Sequence, residues 1–156
     1  MLRKLFGTVS TGFGAATENL QPILGLIEQR TGLGGLKDGT LNVRLTKSYI
    51  VKPNATIDRA EYNGFEFLKL QRCRMRGIRG IIMRPNTHEA GHAHGPAHLE
   101  IMSPCHFRST FTLRDGDEVE VEVEGDETWW RAPDHRQPVL GEDTSDEPSS
   151  AARSIK

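Results

Sequence analysis

The chain has 156 residues, 36% of them hydrophobic, and a net charge of −1. That length suits one domain with an ordinary core, and the charge implies no whole-molecule attraction to nucleic acid or to an anionic membrane. Two cysteines, Cys73 and Cys105, make no C-x-x-C motif and no disulfide framework, which fits a reducing cytoplasm; no apolar run approaches the roughly 18 residues of a transmembrane helix, and the apolar part of Met1–Phe6 is too short for a secretory signal.

Taken in order, residues 4–10 read as a first strand, with Leu5 and Val9 on one parity and Phe6 on the other. A small-residue loop, Thr11-Gly12-Phe13-Gly14-Ala15-Ala16, follows. Asn19 is placed to cap a helix with Pro22 in its first turn. Leu20, Ile23, Leu24 and Ile27 form its apolar stripe and Gly32 ends it. Asp38-Gly39 predicts a tight turn. Leu41, Val43 and Leu45 then alternate with Asn42 and Arg44 in a half-buried strand over residues 40–46. Residues 48–59 read as irregular, with a turn at Pro53-Asn54.

Residues 61–76 are strand-like but change parity. Leu68 and Leu70 fall on one face and Cys73 and Met75 on the other, which a bulge near Gln71-Arg72 would reconcile. A turn over 77–80 leads to a short strand, Ile81-Ile82-Met83, ended by Pro85. A loop rich in His and Gly spans 86–96, and a strand spans 98–103 up to Pro104. Residues 105–113 have room for one helical turn, and Arg114-Asp115-Gly116-Asp117 predicts a turn. Val119, Val121 and Val123 alternate strictly with glutamates over 118–124. Gly125-Asp126 then suggests a hairpin, with residues 127–131 returning as a last strand and at least one of Trp129 and Trp130 in the core. The expected organisation is a mainly β barrel with one helix over residues 1–131, and a disordered tail of Pro, Asp, Ser and Glu over 132–156.

Several stretches have chemical potential. Thr40 and Asn42 share a parity just after a turn, so their oxygens could meet a hard cation such as Mg²⁺; they could equally stabilise the turn. The Gly12–Ala16 loop before a helix suits an anion, though it is neither a Walker A loop nor a dinucleotide fingerprint, and it reads as well as a plain connection. His88, His92, His94 and His98 cluster with Glu89; they match no zinc signature and read as a solvated loop that could pick up metal. Arg72, Arg74 and Arg76, with Arg79 and Arg84 nearby, read as a solvated strand face, or as a track for an anion or nucleic-acid backbone. The alternating glutamates of 118–124 oppose a general DNA-binding surface.

Four blocks in order, Gly7-Thr8-Val9-Ser10-Thr11-Gly12-Phe13-Gly14, Gly39-Thr40-Leu41-Asn42-Val43, Thr87-His88 followed by Leu99-Glu100-Ile101-Met102-Ser103-Pro104, and residues 113–121, resemble the archaeal CTP-dependent riboflavin kinases. The resemblance implies a six-stranded cradle-loop barrel that transfers the γ-phosphoryl of CTP to riboflavin, giving FMN and CDP, with Mg²⁺ as cofactor. By the same resemblance Gly12, Phe13, Gly14, Ala15, Ala16 and Thr17 would cradle the nucleotide phosphates. Cys105, His106, Phe107 and Arg108 would close over the nucleotide, with Arg108 as a phosphate partner. Thr40 and Asn42 would hold Mg²⁺, and Thr87 and Glu100 would contact the flavin, Glu100 also accepting the hydroxyl proton. The chain departs from the family pattern at Ala15-Ala16, where a charged residue is expected, at Cys105-His106, and in a longer, His-rich segment between His88 and Leu99. A non-catalytic relative that binds a flavin, nucleotide or metal is the alternative, and a DNA-binding module is a third reading that rests on the arginines alone.

Overall fold

The computed structural model describes residues 1–11, 21–37, 39–64, 66–86 and 95–134. The glycine loop with its expected Asn19 cap, Asp38, Thr87 and the His88, His92 and His94 group, and residues 135–156 of the expected tail lie outside them.

The strands are β1 (Arg3–Ser10), β2 (Leu41–Leu45), β3 (Ala55–Ile57), β4 (Leu68–Met75), β5 (Ile78–Pro85), β6 (His98–Met102) and β7 (Glu118–Val123). They pair antiparallel in the order β3-β4-β5-β6-β2-β1-β7, and a further β4–β7 pairing closes a six-stranded barrel. The closure works because β4 divides one of its edges. Its first residues, Leu68 to Leu70, pair with β3, and Cys73 and Arg74 further along pair with Val123 and Glu122 of β7. The described helices are α1 (Leu24–Thr31), preceded by a 3-10 turn at Gln21–Ile23, a second 3-10 turn at Arg59–Glu61, and two short helices, α2 (Phe107–Thr110) and α3 (Glu127–Arg131). Gly32 ends α1 at φ 81°, donating its N–H to Glu28 O at 2.9 Å, as its position after the apolar stripe predicts.

Alternation places Leu5, Val9, Leu41, Val43, Leu45, Leu99, Ile101, Val119, Val121 and Val123 in the barrel interior. A second apolar cluster lies outside the wall, where Ile23 and Ile27 at the start of the helical segment, Ile57 of β3 and Trp130 of α3 cover Leu68, Leu70, Ile81 and Met83. This explains the parity change in β4. The register from Leu68↔Pro85 to Met75↔Ile78 is unbroken, so the expected bulge at Gln71-Arg72 is absent. Leu68 and Leu70 pack under the helices while Cys73 and Met75 point inward, and a strand covered on both faces need not alternate. The β4–β5 connection is a two-residue turn, Arg76 at φ 52° and Gly77 at φ 78°, the left-handed pair that matches strand twist.

Two further expectations are corrected. Residues 55–57, read as irregular, form β3; three residues are too few to show a period. Residues 127–131 form α3 rather than a return strand. Asp126 accepts from Trp129 N at 2.9 Å through its Oδ1, which caps a helix instead of turning a hairpin. Trp130 is buried in the outer cluster, as expected of at least one tryptophan.

Candidate functional site

Asn42 lies between the inward Leu41 and Val43, and Glu100 between the inward Leu99 and Ile101. Both side chains therefore leave the outer wall. The register sets Asn42 directly against Glu100 and, on its other side, against Ser10. Thr40, just before β2, donates its hydroxyl to Glu100 Oε1 at 3.3 Å. Thr40 and Asn42, near neighbours in sequence, and the distant Glu100 thus bring a hydroxyl, an amide and a carboxylate to one half-buried patch. Burial pushes the Glu100 carboxyl above its ordinary range, and the Thr40 hydrogen bond opposes that only in part.

The patch lies where β1 ends. Ser10, Asn42's partner, is two residues before Gly12, so the expected phosphate loop starts beside Thr40 and Asn42. The segment after β6 approaches the same place. Ser103 Oγ accepts from Cys105 N at 3.3 Å and donates to Arg79 O at 3.0 Å, which anchors the turn into α2. Phe107 is buried and stacks near Phe111, with ring centroids 6.2 Å apart. Arg108 is half exposed; its Nη2 lies 3.5 Å from Ser10 O and pairs with Asp115. Thr11 also donates to Asp115, and these two contacts hold its carboxyl below the usual carboxylate range, Thr11 contributing most. Arg108 therefore stands next to the end of β1, where the glycine loop begins, already engaged by an acid. His106 is exposed and Cys105 half-buried on the same segment.

The oxygens of Thr40, Asn42 and Glu100 match the donor chemistry of a hard cation that keeps part of its water shell. Among the described residues no three His, Cys, Asp or Glu side chains group as a metal centre. His98 is buried in β6, with Nε2 at 2.9 Å from Asn42 Oδ1. The His98–Asn42 contact has no local sequence signal, because it joins residues far apart in the chain, and the same holds for the Thr11 side of the Asp115 bracket.

Of the arginine stripe only Arg76 is exposed, its guanidinium over the Phe111 ring; the others do not form a solvated face. Arg74 is 4% exposed and donates to the carbonyls of Trp129, Trp130, Ala132, Gly77 and Pro133. Arg72 reaches Thr31 O and Glu127 and lies over Trp130; Arg79 pairs with Asp134. Arg84, fully buried, donates to Tyr49 O, Pro96 O and His98 O. These residues hold α3 and the β5–β6 connection, which removes the ground for the DNA-binding reading. A cleft of about 270 Å³ lined by Lys52, Asn54, Gln71, Arg72, Glu127 and Trp129 sits at the β4–β7 seam, across the barrel from Asn42 and Glu100. Its polar groups are largely bonded to one another, as in Arg72 N to Asn54 Oδ1 at 2.8 Å and Lys52 N to Gln71 Oε1 at 3.3 Å. That leaves less chemistry to offer a ligand than the Asn42 patch has.

The fold and patch define a small antiparallel barrel with an oxygen-rich site on its outer wall, beside the end of β1. The family model CTP-dep_RFKase, described as domain of unknown function DUF120, matches residues 27–123. The chain belongs to this family of CTP-dependent riboflavin kinase domains. Similar proteins include one named riboflavin kinase from Methanocella arvoryzae, 38% identical over 90 residues, which are 55% of this chain and 40% of the relative. Another, from Pyrobaculum aerophilum, is 30% identical over 135 residues, 77% of this chain and 60% of the relative. A third, from Methanospirillum hungatei, is 34% identical over 138 residues, 76% of this chain and 57% of the relative. The chain thus spans between 40% and 60% of the length of these relatives.

Proposed function

We propose that this chain is a riboflavin kinase that transfers the γ-phosphoryl of CTP to the 5′-hydroxyl of riboflavin. Family membership supports the reaction class, and the observation that carries the reading is the convergence of Thr40, Asn42 and Glu100 beside the end of β1, where the glycine loop begins. Thr40 Oγ1 and Asn42 Oδ1 are the protein ligands for Mg²⁺, which when bound neutralises charge on the phosphate oxygens. Residues 12–17, with Arg108 and its neighbours Cys105, His106 and Phe107, hold the nucleotide. Thr87 and Glu100 orient the ribityl end of the flavin. As the hydroxyl oxygen bonds to the γ-phosphorus and the bond to CDP breaks, Glu100 takes the hydroxyl proton. Its burial makes it a better proton acceptor than an exposed carboxylate. Most of the acceleration comes from positioning and charge neutralisation.

Among the described residues no helix is long and apolar enough to cross a membrane, and both cysteines are free thiols, which supports our placing the enzyme in the reducing cytoplasm. The test is incubation with riboflavin, Mg²⁺ and either CTP or ATP, followed by chromatography. FMN forms with CTP as the better donor, and chelation of the cation stops it. Riboflavin bound but not converted with any triphosphate would overturn the kinase reading in favour of a flavin-binding relative.

A further inference from the structure

We propose that His98 is a positioning residue, whose Nε2 holds the Asn42 amide with its oxygen turned to the cation. The proposal rests on the reading of Asn42 as a cation ligand. An asparagine amide has two ends of nearly equal size, and only the oxygen can ligate a hard cation; rotation about its last bond would present the NH₂ group instead. His98 settles that choice. Its Nε2 lies 2.9 Å from Asn42 Oδ1. A neutral ring with its proton on Nε2 donates to one lone pair of the oxygen and leaves the second for the cation.

The ring is well placed to impose this orientation because it cannot easily swing away. His98 is 2% exposed. It stands on β6 one alternate position from Glu100, across from Arg44. Its backbone carbonyl accepts from Arg84 Nη2 at 3.1 Å, and the same fully buried guanidinium donates to Tyr49 O at 2.8 Å and Pro96 O at 3.2 Å. A buried arginine therefore fixes the backbone that presents His98, and His98 fixes Asn42. Hydrogen-bond partners behind a ligand set its orientation and are commonly worth 10- to 100-fold in metal affinity.

The experiment measures Mn²⁺, as a paramagnetic stand-in for Mg²⁺, binding to the full chain with CDP present, by electron paramagnetic resonance well below the unfolding temperature. His98→Leu weakens Mn²⁺ binding by about tenfold, and His98→Gln, whose amide N–H can replace the Nε2 donor, recovers to within about threefold of the wild type. The same substitutions are then made in an Asn42→Asp background. A carboxylate presents an oxygen at either end, so there the loss of His98 changes Mn²⁺ affinity by less than about twofold, which a merely structural contribution of His98 would not reproduce. An equal loss in both backgrounds, or no loss in His98→Leu while Asn42→Ala binds poorly, overturns the positioning role alone. Undiminished binding by Asn42→Ala overturns the ligand reading beneath it. If His98→Leu does not fold, His98→Gln and His98→Phe in the two backgrounds decide the same question.

Discussion

A carboxylate raised by burial works against the folded state. The native protein holds the Glu100 proton to higher pH than the unfolded chain does, so stability falls as pH rises from the unfolded value through the native one, and the loss persists at neutral pH. Glu100→Gln removes that cost while keeping shape and the ability to accept from Thr40. Its thermal midpoint should equal or exceed the wild type at neutral pH, with the difference closing in acid, where both side chains are uncharged; FMN formation should nevertheless collapse. In the wild type the rate should rise with pH through a carboxylate inflection, and Glu100→Gln should lose that inflection. A wild-type rate independent of pH there would remove the proton-accepting role. Thr40 and Asn42 are half-buried polar groups outside both apolar clusters. Thr40→Ala with Asn42→Ala should lower the rate by roughly 100-fold, about 2.7 kcal/mol of transition-state stabilisation, and should also lower the urea midpoint, because the buried His98 ring loses the Asn42 oxygen it faces. Their shared parity was legible in the sequence; the carboxylate they meet was not, because that depends on how β2 registers on β6.

The short helix α3 shows how a local signal can be outweighed in reading and yet be decisive in the molecule. The valine alternation of β7 invites a hairpin at Gly125-Asp126, but Asp126 followed by Glu127 is also a helix start, with acid in the first turn. Tertiary contact favours the helix. Trp130 fills the outer cluster, and buried Arg74 gathers the carbonyls at and beyond the helix end. Arg74→Met should therefore cost about 3 to 5 kcal/mol in urea unfolding, because the carbonyls lose a shared donor, and tryptophan emission should shift to the red as α3 detaches. A loss under about 1 kcal/mol, the level of an exposed pair, would show that the helix holds without it. Arg72 and Arg74 thus look like a charged strand face in one dimension and act as the seat of a helix in three.

Barrel closure constrains positions that no local pattern marks. Gly7 sits in β1 between Leu45 of β2 and Val119 of β7. A side chain there would press into the Arg44 carbonyl oxygen and lie 2.9 Å from Val43 Cγ1. Glycine inside a strand commonly marks such a tight bend or close approach. Gly7→Ala should cost about 2 to 3 kcal/mol in urea unfolding, and, since Ser10 of the same strand stands against Asn42, should also weaken Mn²⁺ binding. An unchanged midpoint would mean that β1 can relax outward without opening the barrel.

Alternation within β1, β2, β6 and β7 by itself determined which residues line the barrel and which leave it, because a strand's period is local. The same locality made Thr40 and Asn42 visible as a pair, and the ordered blocks around them carried the family resemblance. Only the tertiary structure decided which outward groups meet: Asn42 against Glu100 and Ser10, His98 behind Asn42, Arg108 against Asp115, and the arginines under α3. Apart from Arg108 and Asp115, these contacts join segments distant in the chain, and strand register, closure of the β4–β7 seam and the second apolar layer are set by packing across the whole barrel.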